Sequence, residues 1–467
     1  MIPRFAVVGH PNKGKSSIVS TLSEDAAVAI APIPGTTTAA RTFPMQVDGE
    51  TLYELIDTPG FQRPREVLAW LHERSGGAAD RAATVARFVA THAGDPRFHD
   101  ECELLRPITE GAGILYVVDG SRPYGAEYEP EMEILRWTGR PRMALINLIA
   151  QGDHIEEWQR ALDQYFSIVR VFDALHADVS KRLTLLRSFG ELHPPWQAAI
   201  ARAVSALEDD YRRRRERAAR AISALIVDAL TLQLSQRIAE DADPAPVIAS
   251  AQERLRQRLA GREQKVRREV EAIYRHEGAV WADGAPAVID SELFSSASEQ
   301  LFGLSRTQLV ATGAMSGAVA GGAIDLALGG ASLFAVTGIS ALVGGVSALL
   351  GGDRLGKAKV LGQALGSREI TVGPFRDTNL PWVLLGRALL HHEAIAERNH
   401  ARRDAIVMAV ADGGHRANAI DPALRKRLAS EFDSVRKEGL RPGDSRLEAL
   451  VAEVLQRQEP SAIAEIV

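Results

Sequence analysis

The most constraining feature of this 467-residue chain is the run Gly9-His-Pro-Asn-Lys-Gly-Lys-Ser16, which matches the pattern G-x-x-x-x-G-K-[ST]. It follows an apolar, strand-like run at 5–8 and precedes a helix-like stretch at 17–22. The pattern needs that context. Glycines let the backbone wrap a phosphate with its N–H groups, and the helix start adds favourable dipole charge. Lys15 is expected to reach the β- and γ-phosphates of a nucleotide, and the Ser16 hydroxyl to ligate Mg2+.

Further apolar runs at 52–56, 113–118, 142–147 and 168–172 read as buried parallel strands with helices between them. The predicted fold class is α/β, a doubly wound, mostly parallel sheet. Residues 61–108 are too many for a structureless loop and carry helical periodicity around 67–74 and 81–91, so a helical insertion is expected there. Near His193 the character changes and strand-like runs almost vanish. The expected division is a nucleotide domain at 1–177, a linker at 178–195 and a mainly helical domain at 196–467. Residues 196–240 read as one long helix or two in series, with a second long helix to about 275 and helix again from 418.

Two more segments belong with the glycine-rich loop. Asp57-Thr-Pro-Gly60 follows the strand at 52–56; an Asp at a buried strand end needs a partner, which Mg2+ supplies. Gly60 can bring its N–H against a γ-phosphate because no side chain blocks it. Pro34-Gly-Thr-Thr-Thr38 lies between the first helix and the second strand, where a threonine can ligate Mg2+ and sense the γ-phosphate.

With these three motifs, residues 1–177 resemble the Era and TrmE branch of small GTPases. The resemblance implies GTP and GDP as ligands and Mg2+ held by Ser16, Thr37 and Asp57. Lys15, Thr37 and Gly60 would form the catalytic set. Asn12, Lys13, Gly14, Lys15, Ser16, Ser17 and Asn147 would hold the nucleotide. Asn12 matches an asparagine that helps hold K+ in related members, or it is simply a turn former. Phe61 stands where Ras-like proteins carry a water-positioning glutamine. An apolar side chain cannot orient water, so slow intrinsic turnover is expected. The base motif departs from Asn-Lys-x-Asp: the strand ends in Asn147-Leu-Ile-Ala150, without the lysine and the aspartate. GTP remains the expected nucleotide, with ATP or loose specificity as the alternative and Asp153 as a substitute carboxylate. Asp173-Ala174 stands where the family places a backbone contact to the base.

Between 307 and 352 the only charge is Asp325, in two apolar segments of about twenty residues around Gly329-Gly330, the length of a bilayer-spanning helix. Gly313, Gly317 and Gly321 have the spacing that lets helices approach closely, and Arg306, Arg354, Lys357 and Lys359 flank the stretch. A Gly-rich helical hairpin touching the cytoplasmic membrane is expected, against a soluble hairpin packed in the helical domain. The Arg212–Arg215 run reads as a solvated helix face. The segments Glu292-Leu-Phe294 and Leu301-Phe-Gly-Leu-Ser305, followed by this stretch, resemble a bacterial family of Era-like GTPases with a helical C-terminal domain of unknown function.

Composition narrows the partners. Fifty-five basic against 60 acidic residues give a net charge of −5, so nucleic acid is not an expected partner. One cysteine, Cys102, excludes an internal disulfide framework and a cysteine zinc cluster; it is expected to pack rather than react. No signal-peptide pattern opens the chain, which fits a cytoplasmic or inner-membrane-associated protein. A switch that binds and hydrolyses GTP, with an unknown protein effector, is the leading expectation. A soluble ribosome- or RNA-associated GTPase and a non-hydrolysing nucleotide-binding scaffold are the alternatives.

Overall fold

The apolar run ahead of the glycine-rich loop becomes β1 (Arg4–Val8), a central strand of a six-stranded sheet. Its partners are β2 (Arg41–Val47), β3 (Glu50–Asp57), β4 (Gly113–Asp119), β5 (Arg142–Asn147) and β6 (Ile168–Val171), in the order β2-β3-β1-β4-β5-β6. β2 pairs antiparallel with β3, and every other pairing is parallel. The computed structural model describes residues 2–25, 37–150, 152–281, 367–402, 404–406, 419–439 and 445–458. It also describes short pieces at 293–294, 302, 304, 308–309, 312, 334–337, 359–360 and 363–364.

Period-two alternation along β1 feeds two cores. Phe5 and Val7 face α1 (Lys15–Ser23), α7 (Val179–Leu192) and the start of α8 (Pro194–Thr231). Ala6 and Val8 face α2 (Pro64–Arg74), α3 (Arg81–His92), α4 (His99–Thr109), α5 (Glu129–Trp137) and α6 (Ile155–Leu162). The stretch expected to be a helical insertion thus holds α2, α3 and α4. Cys102 is a core residue of α4, and burial pushes its thiol up to about 11, so it packs as expected. Strand register aligns Val7 with Asp57 and Asp119 with Asn147, and the carboxyl ends of β1, β3, β4 and β5 lie at the same edge of the sheet.

The chain divides into two compact units: residues 1–212 with 397–404, and 213–396 with 405–467. The segment expected as a linker at 178–195 instead carries α7, and α8 begins inside the first unit. The reason is an apolar stripe of Trp196, Ile200, Ala203, Val204 and Leu207, all buried in the sheet core. The Trp196 ring meets Phe5 edge-on at 5.0 Å, and a Cβ at Gly113 would lie 2.5 Å from it. Residues 397–404 return to the first unit, where Asn399 Nδ2 donates to the carbonyls of Leu175 (3.0 Å) and Ala177 (2.9 Å).

In the second unit the rest of α8, α9 (Ala245–Ile273), α10 (Leu380–Ala396), α11 (Pro422–Glu438) and α12 (Arg446–Gln458) surround one apolar core. Strands do occur there, against expectation. β7 (Leu234–Ala239), placed by the sequence in a long helix, pairs with β11 (Ser367–Phe375). Ser, Gln and Arg in β7 suit a helix equally well, and pairing with β11, whose Ile370 and Val372 are buried, decides the matter. β11 also pairs with β8 (Phe334–Thr337), so these four residues of the second expected apolar helix form a strand instead. A two-stranded pair, β9 (Lys359–Val360) and β10 (Gln363–Ala364), precedes β11. Apart from β8 and residues 308, 309 and 312, the stretch 307–352 lies outside the described residues. Among the described residues no helix is long and apolar enough to cross a membrane.

Replacing Trp196 with Ala should cost about 3–5 kcal/mol in urea unfolding of the full chain. A loss below about 1 kcal/mol would show that the start of α8 is not part of the sheet core.

Candidate functional site

The glycine-rich loop links β1 to α1 and is shaped by what presses on it. Gly14 has φ +83°, and a Cβ there would lie 2.2 Å from Asn147 Nδ2. Gly60 is held by close approach: its Cβ would lie 2.6 Å from the Pro11 nitrogen. Asn12 also adopts positive φ, and its side chain is exposed. Lys15 is buried and donates to the carbonyls of Gly9 (3.2 Å) and His10 (3.0 Å). Burial lowers its ammonium to about 8, against the opposing charges of Asp57 and Glu131.

Ser16, Thr37 and Asp57 come together. Ser16 Oγ donates to Asp57 Oδ2 at 2.8 Å, and Thr37 Oγ1 donates to the same oxygen at 3.1 Å. Asp57 is buried; desolvation raises its carboxyl pKa, opposed by the Ser16 bond and the Lys15 charge. Its other oxygen, Oδ1, is buried without a hydrogen-bond partner. Two hydroxyls and an under-satisfied carboxylate are the hard oxygen donors that Mg2+ takes, so these residues fit that ion. Residues 34–36 of the threonine segment lie outside the described residues.

At the other end of the loop, Asn147 joins two segments. Its Nδ2 donates to Lys13 O at 3.2 Å, and its Oδ1 accepts from Ala174 N at 3.2 Å. Thr21 Oγ1 donates to the Ala174 carbonyl at 2.7 Å. The Ala174 N–H expected to face a base is therefore bonded to Asn147. Asp173 turns back on its own loop, accepting from Leu175 N (2.9 Å) and His176 N (3.1 Å). Asp153 is exposed in the loop after β5. Lys13 is buried 3.8 Å from Asp119, with its ammonium 5.6 Å from the Tyr128 ring centre. Ser17 is half-buried in the first turn of α1. Phe61 is fully buried among the α2–α6 core residues.

Sequence reasoning missed a polar cluster beneath the loop. Glu131 of α5 is fully buried, accepts from Tyr116 OH at 3.0 Å and pairs with His10 Nδ1 at 2.8 Å. Burial pushes its carboxyl up, against the His10 hydrogen bond. Among the four acidic residues between 127 and 133 nothing in the local pattern marked this one as buried.

Residues 4–147 match the family described as 50S ribosome-binding GTPase, and residues 159–458 match the domain of unknown function DUF3482. Similar proteins include GTPase Der of Azoarcus sp. (strain BH72), 27% identical over 245 residues, covering 52% of this chain and 44% of that one. The tRNA modification GTPase MnmE of Geobacillus thermodenitrificans is 28% identical over 184 residues, 38% of each chain. This chain spans less than half the length of the curated relatives it matches. Among solved structures, Era in complex with MgGDPNP and nucleotides 1506–1542 of 16S ribosomal RNA aligns with a TM-score of 0.30 and 16% identity, over 58% of this chain and 89% of that one. The expectation against a nucleic-acid partner rested on overall charge and gains no support from these relatives.

Asn147→Ala should weaken GDP and ADP analogues alike, by about 1–3 kcal/mol, because it frees the Lys13 carbonyl and the Ala174 N–H together. Fluorescent-nucleotide titration checks this. A loss confined to the guanine analogue would make Asn147 a base reader and not a staple.

Proposed function

Because the chain belongs to the DUF3482 family and joins that domain to a GTPase domain, we propose that it is a guanine-nucleotide switch that hydrolyses GTP slowly. The observation that carries this reading is the convergence of Ser16 and Thr37 on Asp57, beside Lys15, at the ends of β1 and β3. In this reading residues 1–177 are the nucleotide module. The Lys15 ammonium leaves the Gly9 and His10 carbonyls for the β- and γ-phosphates, and the loop N–H groups from Asn12 to Ser17 wrap them. Bound Mg2+, held by Ser16, Thr37 and Asp57, would neutralise phosphate charge. Gly60 presents its N–H to the γ-phosphate, and the buried Phe61 anchors the segment without orienting a water. The attacking water must then be oriented by other groups, which is the reason for slow turnover. Asn12, exposed at positive φ, is the candidate to share a K+ with the phosphates.

The same proposal gives the second unit an effector role at the cytoplasmic membrane through 307–352. It is supported by the near absence of charge there and the flanking Arg306, Arg354, Lys357 and Lys359. The strand at Phe334–Thr337, paired with β11, speaks against an all-helical hairpin there; the second reading is a soluble GTPase with a ribosome or RNA partner.

Calorimetry with GDP, GTP and ATP, and phosphate release in KCl and NaCl, test the nucleotide reading. GTP and GDP should bind in a Mg2+-dependent way and ATP more weakly, with turnover faster in KCl. Lys15→Ala should lose hydrolysis by a factor of about a thousand or more. ATP bound as tightly as GTP, or full turnover by the Lys15 variant, would sink it. An alkaline carbonate wash of native membranes tests the membrane contact: wild type in the pellet, with a 307–352 deletion in the supernatant, supports it. Wild type in the supernatant transfers the effector role to a soluble partner.

A further inference from the structure

We propose that helix α4 clamps both nucleotide-sensing loops, with Glu101 as the positioning residue for hydrolysis; the inference rests on the GTPase reading above. α4 touches each loop next to its functional residue. His99 and Glu103 lie four residues apart and share one helix face. His99 Nε2 donates to the Thr38 carbonyl at 3.0 Å, and Glu103 Oε2 accepts from Ala40 N at 3.1 Å. Both bonds fall within three residues of Thr37, which reaches Asp57.

Glu101 serves the other loop. It is fully buried, and its Oε1 accepts from Gln62 N at 2.9 Å and from Arg63 N at 2.6 Å. Arg63 is the residue just before α2, so the carboxylate also meets the positive end of that helix. Charge-assisted bonds to backbone N–H groups are roughly twice as strong as neutral ones. Glu101 Oε2 is buried with no hydrogen-bond partner. The segment from Gly60 is therefore fixed at three successive points. Gly60 lies against Pro11, Phe61 is sunk in the core, and Gln62 and Arg63 are held by Glu101. One helix thus holds the backbone that follows Gly60 and the chain beside Thr37. α4 runs into β4 within four residues, which ties both loops to the sheet. The work that a polar side chain at position 61 would do by touching water falls in part to this geometry.

The test compares single-turnover GTP hydrolysis and GDP affinity of the full chain for wild type, Glu101→Ala and Glu101→Gln. The expected result is a rate loss of about tenfold or more for Glu101→Ala with GDP affinity within about threefold, and recovery of most of the rate in Glu101→Gln, which keeps an acceptor oxygen. Wild-type rate in Glu101→Ala, or parallel loss of rate and GDP affinity, overturns the proposal. If Glu101→Ala fails to fold by circular dichroism, the double variant His99→Ala, Glu103→Ala carries the same comparison from the other loop. If the wild type itself does not hydrolyse GTP above the protein-free blank, the functional reading fails by itself. Amide exchange then decides the clamp: faster exchange at residues 62 and 63 in Glu101→Ala than in wild type and Glu101→Gln supports it, and unchanged exchange in Glu101→Ala overturns it.

Discussion

The site depends on one buried carboxylate. Asp57 ends β3 in the row of strand termini, where water is scarce and an unshared charge is costly. Two hydroxyls from separate segments meet one of its oxygens, and its other oxygen lacks a partner. This geometry makes the threonine segment answerable to the strand. Thr37 and Ser16 are held together by their shared bond to Asp57, which stands in register with Val7. The parallel order of the sheet, with β1 between β3 and β4, serves that alignment.

Much of this half was legible because its chemistry is local. A phosphate loop needs its glycines and lysine at fixed spacing, and buried parallel strands announce themselves as unbroken apolar runs. Asp57 was legible because it stood at the end of such a run. What escaped the sequence depends on partners distant along the chain. Glu131 and Glu101 sit on helices rich in acidic residues and look like solvent-facing positions; Tyr116, His10 and the backbone after Phe61 make them interior ones. Asn147 could be found, but its bonds to Lys13 and Ala174 belong to the fold and not to a motif.

The second half was less legible for a different reason. Leu234–Ala239 is short and polar, and a strand of that kind exists only by virtue of its neighbour β11, more than a hundred residues away. The domain boundary misled in the same way. α8 is a continuous helix of 38 residues, and its sequence carries no break where one unit ends and the next begins. Only the side chains that line the sheet, Trp196 to Leu207, distinguish its first turns from its last.

The return of residues 397–404 to the first unit has a consequence for synthesis. Asn399 closes on the Leu175 and Ala177 carbonyls, two residues that emerge from the ribosome long before it does. The nucleotide unit is completed only after the chain through Asp404 has been made. During that interval the loop that carries Ala174 lacks the Asn399 amide that bonds two of its carbonyls. A nascent chain or a fragment ending at residue 212 holds every motif of the site and still lacks a piece of the unit that bears them.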